Sequence, residues 1–126
     1  MARPQLNGSG VQKIKTLDEA LVQVQTLHSI IERMALANKS QQPMQPFGLQ
    51  LKRAAVPVAS LLKGQFGSIS DQVNALTLIA TRGGDERVRI SNLREGVAAV
   101  KQSIEIAARK VYEHDAVVEK PGKSGS

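Results

Sequence analysis

From Ile90 onward an apolar or small side chain returns at every third or fourth position: Leu93, Val97, Val100, Ile104, Ala107, Val111. That alternation of steps is the period of one face of an α-helix, and a face of that length has to lie against another helix. A second seam precedes it. Leu51, Ala55, Val58, Leu62, Ile69, Leu76 and Ile79 keep one heptad phase, and a flank at Ala59, Phe66, Val73 and Ala80 repeats every seven residues beside it. Gly83 and Gly84 separate the two seams. Glycine takes the left-handed conformation that ends a helix at little cost, and Asp85 can then cap the next one, which runs to about His114.

A third seam, Leu17, Ala20, Val24, Leu27, Ile31 and Met34, is widened by Leu21, His28 and Ala35, as a helix with two neighbours requires. Thr16 and Glu19 have capping-box spacing, so this helix is expected to start near residue 16 and to stop near Asn38. Residues 1–15, with Pro4, Gly8 and Gly10, are expected to form a flexible arm, and 116–126 a disordered tail. Residues 39–48 carry Pro43 and Pro46 and read as a linker.

Pro57, Gly64 and Gly67 argue against an unbroken helix over 49–82, whereas the heptad phase that passes through the glycines argues for one. The expected architecture is all-α: an antiparallel three-helix bundle over 16–115, built on a long, kinked helical hairpin. The alternative is a four-helix bundle, if the 49–82 segment breaks at Gly64–Gly67. In the three-helix form the hairpin is about 45 Å long and its first-helix cover is shorter, which leaves part of the apolar stripe open. Two-fold pairing would close it, so a homodimer is expected, with Leu62, Gln65, Phe66, Ile69, Gln72, Val73, Val97 and Val100 at the interface.

Composition narrows the chemistry. The 126 residues contain no cysteine, which excludes disulfides, thiolate nucleophiles and cysteine metal sites. Phe47, Phe66 and Tyr112 are the only aromatics, few for stacking a base or a flavin. His28 with Glu32 one turn on is a poor metal site, and neither a phosphate-binding glycine loop nor a serine elbow is present. No metal or cofactor is expected. No apolar run reaches membrane-spanning length and no secretory leader is evident, so a soluble cytoplasmic protein is the expectation.

The net charge of +6 is unevenly spread. No acid falls between Glu32 and Asp71, while Arg82, Arg87, Arg89 and Arg94 bracket the double-glycine turn. Arg53, Lys63, Arg82, Arg87, Arg89 and Arg94 are the candidate contacts to an acidic protein or to nucleic-acid phosphates. A solvated, solubilising helix face is the plainer reading of the same residues.

One short segment has a catalytic flavour. In Arg109-Lys-Val-Tyr-Glu-His114 the arginine and histidine resemble the Arg-x4-His signature of HEPN-type ribonucleases, which are small helical bundles. The resemblance covers six residues and implies that His114 and Arg109 act on an RNA phosphodiester. Lys110 stands where the family favours Asn or Asp. The alternative is that Arg109 and Lys110 neutralise the carbonyl end of the last helix. The expected function is a non-enzymatic helical assembly or adaptor protein that self-associates and binds a protein partner. Phosphate-contacting nucleic-acid binding is the alternative, and a HEPN-like ribonuclease a second one.

Overall fold

The seams fold into four helices. The structure is a computed structural model, and it describes residues 6–82 and 84–114. Helix α1 spans Gly8–Lys39, α2 Gln45–Lys63, α3 Gly67–Thr81 and α4 Glu86–His114. They pack in a ring: α1 and α3 each lie against both α2 and α4, and the diagonal pairs do not pack on one another. At 1.5 Å per residue, α1 and α4 are each about 45 Å long, and α2 and α3 about 28 and 22 Å. Helix α4 starts beside the end of α1 and runs back along it, so that Arg94 reaches Glu32.

The three-helix expectation fails at one residue. Phe66, at φ −134° and ψ 55°, leaves the helical region. Its N–H donates to the Leu62 carbonyl at 2.7 Å and completes α2, while its own carbonyl accepts from the N–H groups of Ile69 and Ser70 and starts α3. The segment 49–82 is therefore a folded-back pair, which is the four-helix alternative. Gly64 stays in the right-handed helical region, so the break uses no left-handed glycine.

The heptad phase survives this turn because both halves face one core. Helix α2 buries Leu51, Ala55, Val58, Ala59 and Leu62, and α3 buries Ile69, Ser70, Val73, Leu76 and Ala80. Small residues let the two helices approach closely. A Cβ on Gly48 would stand 2.8 Å from the Ala80 carbonyl oxygen, and the Ser70 hydroxyl donates to the Ala59 carbonyl at 2.8 Å.

Helix α1 starts two turns before the expected capping box. Asn7 is its N-cap, with extended backbone and a side-chain oxygen that accepts from the Gly10 N–H at 2.7 Å. Residues 8–15 are thus helix, not arm, and Ile14 joins the core in phase with Leu17. The expected tail 116–126 lies outside the described residues. The linker is also shorter than expected: Pro46 falls in the first turn of α2, where a missing N–H costs nothing. Pro57 is exposed on the outer side of α2, where water can take the Arg53 carbonyl that it leaves unbonded. Among the described residues, no helix is long and apolar enough to cross a membrane.

The core contains five of the eight residues expected at a dimer interface. Leu62, Ile69, Val73, Val97 and Val100 are all buried within the single chain. Phe66 is half-buried, and Gln65 and Gln72 are exposed. The 49–82 segment folds back on itself, so among the described residues these apolar seam positions are covered within one chain.

Candidate basic cleft at the start of helix α4

The end of the bundle where α1 stops and α4 begins collects most of the arginines that flank the double-glycine turn. Gly84, at φ 123°, takes the left-handed conformation that this corner needs, and Asp85 accepts from the Arg87 N–H at 2.9 Å to cap α4. That cap aims the first turns of α4 across the end of α1.

The six candidate cations are not equivalent. Arg94 is held by Glu32 in a two-pronged pair, with Nε and Nη2 each donating at 2.8 Å to a different carboxylate oxygen. The hydrogen bond from Arg94 is the main reason that the Glu32 carboxyl lies below its ordinary range; burial opposes it, and the charges of Arg94 and His28 add to it. The same hydrogen bond raises the already high Arg94. Arg89 is half-buried, donates from Nη1 to the Ala80 carbonyl at 3.2 Å and pairs through Nη2 with Glu86. It ties the end of α3 to the start of α4, so its role is structural.

Arg82 and Arg87 are exposed, with no carboxylate partner for either guanidinium among the described residues. Arg82 lines a cleft of about 280 Å³ between α3 and α4, beside Val88 and Asn92. Arg53 and Lys63 stand apart, exposed on α2; Lys63 marks the far end of that helix, near Asp71. The predicted set therefore does not form one continuous patch.

On the other side of α4 lies a larger cleft, about 510 Å³, between the last turns of α1 and the first turns of α4. Ala35 and Ile90 form its floor, Leu36 one wall, and Lys39 and Arg87 its rim; the Glu32–Arg94 pair crosses one end. Leu36 is 65% exposed, a large apolar side chain left open beside cations. Lys39 is the basic residue of the last turn of α1, where a cation compensates the helix dipole. The loop supplies that compensation itself: Ser40, Gln41 and Gln42 donate backbone N–H groups to the carbonyls of Leu36, Asn38 and Ala37. What sequence reading could not show is that Lys39 and Arg87, 48 positions apart, line the same cleft.

Arg109 and His114 are both exposed on the last turns of α4. Five positions along one helix place them about 140° apart around its axis, on different faces. His28 is exposed on α1, and no cluster of three potential metal ligands occurs among the described residues. No protein-family model matches the chain, and comparison with curated proteins and with solved structures finds no match either.

Proposed function

We propose that this chain is a non-enzymatic helical binding module, working in the cytoplasm, that docks an acidic protein partner at the basic end of the bundle. One observation carries the reading: Lys39 and Arg87, neither held by a carboxylate among the described residues, line an open cleft together with the apolar Ala35, Leu36 and Ile90. Buried apolar contact supplies affinity, and rim charges steer the encounter and select the partner's sign.

The nucleic-acid alternative is weaker on the same geometry. Of its six expected phosphate contacts, Arg89 and Arg94 are already engaged by glutamates, and Arg53 and Lys63 lie on another helix. Self-association loses the open stripe that motivated it, so the partner surface is placed at the bundle end.

The test uses the tagged full-length chain recovered from its native cells, with and without nuclease, beside a Lys39→Glu/Arg87→Glu double variant. The reading expects a protein partner that survives nuclease and is lost with the double variant. A partner that disappears with nuclease, or that the double variant retains, overturns it.

A further inference from the structure

Building on that reading, we propose that the cleft between α1 and α4 takes an acidic amphipathic helix, with an apolar side chain seated on Leu36 and Ile90 and carboxylates on Lys39 and Arg87. The chemistry of the cleft selects each part of this ligand.

A bare phosphate or a carboxylate alone would use the rim and leave the floor of Ala35 and Ile90 empty. An apolar segment without charge would leave the Lys39 ammonium and the Arg87 guanidinium beside buried hydrocarbon, with nothing to offset their lost hydration. An extended peptide is also a poor fit, since it binds by adding its backbone to a sheet edge. Both walls here are helices, whose interior backbone groups bond along the helix, and the loop N–H groups of residues 40–42 are turned back onto α1. A segment docking here must satisfy its own backbone, which means a helix laid into a groove.

Polarity follows from the two ends of the cleft. At one end Arg94 is already paired with Glu32, so an incoming carboxylate meets an offset cation and the like charge of Glu32 there. The open end holds Lys39 and Arg87. The acids of the ligand therefore belong at the Lys39–Arg87 end.

The experiment measures fluorescence anisotropy of a labelled synthetic helical peptide, with leucines on one face and glutamates around them, titrated with the full-length chain. Two competitors accompany it: the same peptide with every leucine replaced by serine, and oligouridylate RNA. The expected result is saturable binding, with the serine peptide weaker by about tenfold or more and the RNA unable to displace the probe. Arg87→Glu should weaken binding by about tenfold and Leu36→Gln by about fivefold, and Lys63→Glu at the far end of α2 should leave it unchanged. Circular dichroism on each variant confirms that it is folded; Leu36, Lys63 and Arg87 are all exposed, so none of these changes touches the core.

Equal binding of the serine peptide, displacement by RNA, an unaffected Leu36→Gln, or an equal loss in Lys63→Glu each overturns the inference. If the peptide fails while the cellular partner is still lost in the Lys39→Glu/Arg87→Glu variant, the helical ligand is wrong and the basic binding end stands. If the cellular partner is retained in that variant, the broader reading falls as well.

Discussion

The Ser70 hydroxyl reaches across from α3 to donate a 2.8 Å hydrogen bond to the carbonyl of Ala59 on α2. Eleven residues separate the two in sequence, and both are buried. At the other end of the same helix pair, Gly48 passes close against the Ala80 carbonyl. A hydroxyl in place of a methyl and a hydrogen in place of a Cβ set the spacing of α2 and α3. That spacing closes the core between α2 and α3.

Gly48→Ala should destabilise the protein, because a Cβ there meets a backbone oxygen at 2.8 Å and the two helices must part to admit it. Overpacking of this kind costs about 1–3 kcal/mol, against a gain of about 0.5–1 kcal/mol from removing a helical glycine. Gly96→Ala makes the instructive contrast. Its Cβ presses on the Leu76 side chain, which can rotate, so its effect should be the smaller of the two. Urea unfolding of both variants checks the order; a Gly48→Ala protein as stable as wild type would contradict the close approach.

Ser70→Ala removes the only polar residue buried among the described residues and should cost about 1 kcal/mol. The Ala59 carbonyl keeps its helical acceptor role, so the loss should not exceed one hydrogen bond. A thermal melt of the variant measures it, and no change would mean that the hydroxyl finds an equal partner elsewhere.

Leu62→Asp and Val100→Asp each place a carboxylate where the side chain is fully buried. The cost is several kcal/mol, comparable to the whole stability of a domain of this size. Since both residues lie in the core of one chain, the expected outcome is loss of helical signal. A folded variant of reduced mass in solution would instead restore the interface that the sequence pattern suggested.

These positions also show what the sequence made legible. The three seams, the Asp85 cap of α4 and most core residues follow from spacing and side-chain type, whereas α3 ends on Arg82 in extended backbone. Continuity over 49–82 did not, because a period of seven describes which residues face the core and is silent on whether the chain reverses between them. Leu62 and Ile69 keep the same phase on either side of Phe66, where the turn occurs. The start of α1 is not legible in the sequence, because Gly8 and Gly10 have low helix propensity and hide the first turn that Asn7 caps. Charge sorting lay furthest out of reach. Which arginines are occupied depends on Glu32 meeting Arg94 across 62 positions, a fact of topology alone.

Glu32→Gln tests that pair. At neutral pH the loss should be about 0.5 kcal/mol, since a solvated ion pair is screened by water and salt. The Glu32 carboxyl is lowered in the folded state by the Arg94 hydrogen bond, so its contribution is complete above the unfolded glutamate pKa, near about 4.3, and vanishes as pH falls through the depressed folded value. Melting curves of wild type and variant should therefore differ at neutral pH and converge in acid. A difference that persisted in strong acid would contradict the ion pair as its source.

The most direct measurement is residue-by-residue mapping of the surface that binds the acidic helical peptide, by backbone amide NMR shifts of the full-length chain during titration. The account predicts movements concentrated at residues 32–39 and 87–94, the two walls of the cleft, with the Lys63 end of α2 unmoved. Shifts spread evenly over all the basic residues, or centred on the outer face of α2 and α3, would contradict it.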